Sequence, residues 1–480
     1  MPPYAGLDEI YHVARLAFVA HEGRSPSISE HAIPPYLAKS IRGDADALPA
    51  FGELRERWPD VVAQRPVLAN DRVLTDRDLT PYIATNYEAQ QTSLYYALAA
   101  PLVHLLPQRT PINELRVWRM FSVIFGVIAI VAIAAIAMRI IGPSGVLVGA
   151  LLMSMPTYMT LIVRASNDAL PCALIACAYL VTFAAPQRKA GWILEALLWA
   201  FALSAKLYAW PASVALPFVW HQQRAPRARR FTVLVTGFLS VVATLASLAL
   251  RTNNPLGLFA FDRVAPRTHG SLAQIDFAAM ARITIASGAW ASGQHWNALR
   301  PLAMVLYLAP LCALIAFVFA RRWRTSKSML AICCIVAFAF AIAQIVSAGA
   351  YIRQALATGS SLPAGGKEGW YWFALAPLFV PLFAIPLRHA PRIIATLTLL
   401  WMIAWDVLIT EGALFQDYAG LTHATGGDAL FRWGPRALPF TYGSLASVGV
   451  GPGASVLTSM RLAEVLLLLA IVAFAIRNRE

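Results

Sequence analysis

Two adjacent carboxylates, Asp8 and Glu9, are followed by His12, which stands four residues after Asp8 and so on the same face of a helix. A carboxylate so placed can take a proton from an attacking hydroxyl, which is general-base work. The plainer reading is that Asp8 caps the helix N-terminus, and one carboxylate can do both when the cap faces a cavity. A second polar group is the short turn Arg164-Ala-Ser-Asn-Asp168 between two strongly apolar runs. Ionisable residues at the rim of an apolar bundle are candidates for substrate contact. The plainer alternative is that Asp168 or a neighbour caps the next helix while Arg164 reaches to the headgroups. The third is Lys206, one of only five lysines, flanked by Ala-Leu-Ser-Ala and Leu-Tyr-Ala-Trp. It offers a point charge to a lipid phosphate, or else extends to the interface with no specific partner.

Other chemistries lack their motifs. No G-x-G-x-x-G follows a strand, and no H-E-x-x-H occurs. Gly366-Lys367 is followed by Glu368 rather than Ser or Thr, and Ser361 stands where the first phosphate-loop glycine belongs. His104, His221 and His389 are scattered over span ends. Cys172, Cys177, Cys312, Cys333 and Cys334 all fall inside apolar runs, which indicates neither a disulfide framework nor a metal-thiolate site.

The elements that must carry these residues follow from composition. Of 480 residues, 58% are hydrophobic and 13% charged, with a mean hydropathy of +0.59. The charged fraction is about half that of a soluble domain, and no soluble fold could hide so much apolar surface. This excludes a soluble enzyme, a disordered chain and a nucleic-acid binder, although the net charge is +14. The basic residues instead punctuate apolar runs, as they do where a membrane protein fixes its orientation.

Runs long enough to cross a bilayer predict eleven spans. Seven are uncharged: 120–138, 145–163, 169–187, 231–250, 301–320, 328–352 and 370–387. Four are weaker: 190–205 with Glu195, the short 208–220, 393–410 with Asp406, and 456–476 with Arg461 and Glu464. Glu195, Asp406 and Glu464 are expected to pair inside the bundle or to sit near the interface. Gly145-x-x-x-Gly149 is expected to be a helix-packing contact. If the spans alternate, the basic clusters 187–189, 224–230, 321–327, 388–392 and 477–479 share one side, the cytoplasm. The opposite side receives residues 1–116, the 164–168 turn, the hinge at Lys206, and loops 251–300, 351–369 and 412–458. An outward residue 1 without a signal peptide leads to the expectation of a further span upstream of Met1. Residues 1–116 form one unit, an external segment carrying the acidic motif, and 117–480 the bundle. Outside the bilayer, Ile10, Val13, Ala14, Ala17 and Phe18 form one helical face. A second helix is predicted over 87–106 with a kink at Pro101 and Leu94, Tyr95, Leu98, Leu102 and Leu105 on one side. Both this helix and 271–289 suit the membrane interface.

With these elements in place, the motifs resemble a family. Asp8-Glu-Ile-Tyr-His12 followed by Glu22-Gly-Arg-Ser-Pro26 resembles the first external loop of GT-C-type glycosyltransferases, which include aminoarabinose transferases and protein O-mannosyltransferases. The stretch from Asn86 to Tyr96 resembles their Pro-containing second-loop landmark, with Thr92-Ser93 in place of the prolines. Ser166-Asn-Asp168 is similar to their polar turn after the third span, and Leu203-Ser-Ala-Lys206 to their lysine-bearing span end. Gly366-Lys-Glu-Gly-Trp-Tyr371 resembles a G-R-Y-like segment but lacks its arginine. The resemblance implies catalysis by Asp8 with Glu9 beside it, and substrate contacts from His12, Tyr87, Gln91, Arg164, Asp168, Lys206, Lys367 and Glu368. It implies an all-α polytopic bundle with an external helical cap, multi-pass in a bacterial inner membrane, with its active site on the periplasmic face. The implied reaction transfers a sugar from a polyprenyl-phosphate carrier to a lipid, glycan or protein acceptor. No resident cofactor is called for, and the part of a divalent metal stays open. The alternatives are a transporter or lipid flippase of cell-envelope intermediates, and a non-catalytic assembly protein.

Overall fold

A computed structural model describes residues 9–27, 30–34, 73–74, 84–85, 87–185, 188–206, 209–252, 278, 301–358, 369–418 and 454–477. Asp8, Lys367, Glu368 and the 271–289 segment lie outside them, apart from the helical backbone at 278.

The described chain is helical apart from one small antiparallel pair, β1 (His31–Ile33) with β2 (Ala84–Thr85). The helix α1 (Glu9–Glu22) leads into it. A 3-10 turn (Tyr87–Gln90), α2 (Leu94–Ala99) and a second 3-10 segment (Ala100–Leu105) follow. The bundle is built from α3 (Pro111–Ile141), α4 (Val146–Met153), α5 (Pro156–Val163), α6 (Ala169–Phe183), α7 (Lys189–Ala205), α8 (Ala209–Ser213), α9 (Leu216–Gln222) and α10 (Arg227–Thr252). It continues with α11 (Pro301–Thr358), α12 (Ala376–His389), α13 (Arg392–Tyr418) and α14 (Ala454–Arg477).

The helix α3 shows how the sequence sets these bounds. The Thr110 hydroxyl accepts from the Asn113 amide, Pro111 fits the first helical position, and Glu114 sits in the first turn. Gly142 ends the helix in the left-handed region at φ +71°. At 31 residues the helix is about 46 Å long, more than a bilayer core. Met120, Ile124, Val127 and Val131 face outward from it, as befits a lipid-facing side. Four helical stretches among the described residues are long and apolar enough to cross a membrane: Pro111–Met153 (α3 through α4), Arg227–Arg251, Trp372–His389 and Thr458–Arg477. The expected glycine contact is present: a Cβ on Gly145 would lie 2.2 Å from the Met138 backbone nitrogen. The embedded charges also pair as expected, Glu195 with Arg229, and Asp406 and Glu464 with Arg461.

Several expected boundaries differ. The basic stretch 321–327 is no loop: it lies inside α11, one helix of 58 residues. Arg and Lys are good helix formers, and no Gly or Pro lies between Pro310 and Gly349 to stop the helix. Helices α11 and α13 also run to Thr358 and Tyr418, into stretches expected as loop. The 145–163 run is instead broken between α4 and α5 at Ser154–Met155, where Pro156 cannot continue the ladder. The expected 87–106 helix is three pieces, and Leu98 and Leu105 point outward while Tyr95, Tyr96, Ala99, Ala100 and Val103 are buried. Backbone 3-10 geometry on either side of α2 rotates the apolar face away from the one that uniform helical spacing predicts.

Two apolar clusters result. The large one fills the bundle among α3 to α14. The smaller joins α1, α2 and the start of α3 to Ala165 of the turn before α6 and to Leu170 in the first turn of α6. The candidate site lies against this smaller cluster.

Candidate functional site

The helix α1 starts at Glu9, and this carboxylate is fully buried. Arg119 grips it in a fork, Nε to Oε1 at 2.8 Å and Nη2 to Oε2 at 2.7 Å, and the Ala165 amide donates to Oε1 at 2.8 Å. One side chain thereby ties α1 to α3 and to the 164–168 turn. Each bond has an ionised partner, which places them among the stronger hydrogen bonds in proteins. Asp8 is the residue immediately before this clamp.

The turn itself is organised around Asp168. Its Oδ2 accepts from the Arg164 guanidinium and, at 3.1 Å, from the Ser166 hydroxyl; its Oδ1 accepts from Lys206 Nζ. Asp168 stands at the N-cap of α6 yet its side chain makes no capping bond, so pairing has displaced capping. Burial raises its proton affinity, but Lys206 and Arg164 outweigh it and hold the carboxyl well below the usual range. Lys206 also donates to Asn167 Oδ1 at 2.7 Å. Lys206 and Arg164 are 8% and 3% exposed, so neither reaches out to the headgroups as the plainer reading held: a carboxylate at bonding distance outcompetes the interface. Asn167 is fully buried and its Nδ2 has no partner; such an orphan costs on the order of 1–3 kcal/mol.

A second layer holds this turn from the side of α1. His12 Nδ1 lies 2.6 Å from the Tyr96 hydroxyl, which donates to Glu88 Oε2 at 3.3 Å. Burial first, then Lys206, push the His12 pKa well down, so the ring is neutral near pH 7. Arg15 stacks 3.8 Å above the Tyr96 ring and donates to the Glu88 and Gln91 carbonyls at 2.5 and 3.1 Å. Arg251, at the end of α10, donates to the Ala89 and Gln91 carbonyls. Thr92 donates to the Ala205 carbonyl beside Lys206. The 87–92 segment is thus strapped to α1, α7 and α10 together.

The structure therefore brings Glu9, His12, Arg164, Asp168 and Lys206 into one buried neighbourhood. Gln91 joins it through its carbonyl, and Tyr87 is placed there by its backbone. Spacing does not single out Arg15, Glu88, Arg119 or Arg251, and it marks Asn167 only as part of the 164–168 turn. A signal existed for two of them. Arg15 extends the Asp8, His12 series at i+7, and Arg119 is the last charge before an apolar run. Among the described residues, Arg15, Arg119, Arg164, Lys206 and Arg251 gather here with the carboxylates of Glu9, Glu88 and Asp168. Among the described residues no group of three His, Cys, Asp or Glu side chains is arranged to hold a metal.

No protein-family model and no curated protein matches the chain. Among solved structures it is similar to ArnT from Cupriavidus metallidurans in the apo state, at 15% identity over 91% of this chain and 72% of that one, with a TM-score of 0.44. It is similar also to ArnT from the same organism bound to undecaprenyl phosphate, at 13% identity over 97% and 73% of the two chains, with a TM-score of 0.46.

Proposed function

We propose that this protein is a membrane glycosyltransferase that moves a sugar from a polyprenyl-phosphate carrier to an acceptor hydroxyl on the external face, with Asp8 as general base. The observation that carries this reading is the Glu9 clamp. It fastens the start of α1, and with it the residue next to Asp8, to the turn that bears Arg164, Asp168 and Lys206. In the reaction the acceptor oxygen bonds to the anomeric carbon as the bond from that carbon to the phosphate oxygen breaks. The hydroxyl proton passes to Asp8, and the charge left on the phosphate is met by Arg164 and Lys206. Preorganised cations at developing charge are a large source of rate. The apolar bundle suits a carrier that stays in the bilayer, and the motifs of residues 8–12, 166–168 and 203–206 resemble GT-C-type enzymes.

A transporter would gather ionisable groups at broken helices near the midplane. The break at Ser154–Met155 is met instead by the Tyr307 hydroxyl, which donates to the Ser154 carbonyl at 3.3 Å. The test is transfer of radiolabel from a polyprenyl-phosphate sugar by the purified protein in vesicles. Label in a new covalent product supports the enzyme. Label that only changes sides as intact donor, or stays put, overturns it.

A further inference from the structure

Asn167 has no task yet that accounts for its whole side chain. It is fully buried, and one end of its amide is spoken for: Lys206 Nζ lies 2.7 Å from Oδ1. Ammonium is a donor only, so this contact fixes which end is oxygen and leaves Nδ2 as the other. That nitrogen carries two N–H donors and has no partner. Arg164 and Lys206 both lie against Asp168 beside it. An unfilled N–H donor next to two cationic side chains calls for an anionic oxygen.

We propose that Asn167 Nδ2 donates to a nonbridging oxygen of the carrier's phosphate, while Asn167 Oδ1 holds Lys206 in reach of the same group. This rests on the reading of the protein as a polyprenyl-phosphate-dependent transferase and adds to it a neutral, oriented donor. The division of labour follows from chemistry. Lysine and arginine supply charge, whereas an amide with one end fastened to the lysine supplies direction.

The test is Asn167→Asp, which keeps the shape and the oxygen facing Lys206 but replaces the donor with a carboxylate oxygen. The readout is binding of polyprenyl phosphate relative to the uncharged polyprenol in detergent, with thermal melting as the check on folding. Because the added negative charge alone would weaken phosphate binding, Asn167→Ser, which adds no charge and keeps a lone pair for Lys206, is read beside it: if Asn167 only steadies Lys206, the serine variant binds as wild type. If Nδ2 receives phosphate, the preference for the phosphorylated lipid falls by roughly 10- to 100-fold, the scale of one hydrogen bond to a charged group, while the melt is kept. Wild-type preference retained in a folded variant overturns the assignment and leaves the functional reading standing. No preference in the wild-type protein overturns both. The serine variant decides by this ratio whether or not Asn167→Asp folds: a tenfold loss supports the assignment, and an unchanged ratio overturns it.

Discussion

Removing the Glu9 side chain should loosen α1 far more than any single apolar contact would suggest. Three donors converge on a carboxylate with no exposure, and Arg119 is itself only 16% exposed. Deleting one member of such a buried pair strands the other and costs about 3–5 kcal/mol. At 1.36 kcal/mol per decade, local opening of α1 should become roughly 10²- to 10⁴-fold more frequent. Hydrogen exchange of the peptide 9–22 by mass spectrometry reads this directly, because exchange tracks the open fraction when reclosing is fast. Glu9→Ala and Arg119→Ala should each accelerate it. The double variant should fall short of the summed effect by at least about 1 kcal/mol, since the second deletion removes a charge already stranded. Strict additivity, or protection unchanged in Glu9→Ala, would refute the clamp.

Further expectations concern the surrounding groups. His12 is buried with its pKa depressed below 6.5, so the native state binds its proton less readily than the unfolded chain. Its contribution is therefore complete above about pH 6.5 and lost as pH falls below it, with a slope approaching 1.4 kcal/mol per pH unit; His12→Gln should flatten the stability profile between pH 7 and 5. Lys206→Ala should lower kcat/KM for the lipid donor on the order of 10- to 100-fold; unchanged kinetics would leave Lys206 a structural partner of Asp168. Single cysteines at Ser271 and Ser326 should be labelled by an impermeant maleimide from opposite sides of the membrane; labelling from one side would undo the proposed orientation.

The buried face of α1 shows both the reach and the limit of the sequence. Spacing marks Val13, Ala14, Ala17 and Phe18 as a packed face, and all four are buried. Arg15 and His12 are buried too, because a polar partner waits for each across a sequence gap of more than seventy residues. Local periodicity carries no information about such partners. The same holds at Asp168: its type and place suggest a cap, and only the fold reveals that Lys206, 38 residues on, reaches its carboxylate. The long helix α11 fails in the opposite direction. Basic clusters imply loops through their role in orientation, but arginine and lysine do not break helices. Hydropathy could not see continuity across 321–327.

The most direct test of the account is turnover by Asp8→Asn. The substitution keeps the shape and a capping oxygen but removes the base. Measured with purified protein, a radiolabelled polyprenyl-phosphate sugar and the acceptor on which wild type is active, turnover should drop by about 10²–10⁴ while the melting transition stays near that of wild type. Near-wild-type turnover from the folded variant would contradict general-base catalysis by Asp8.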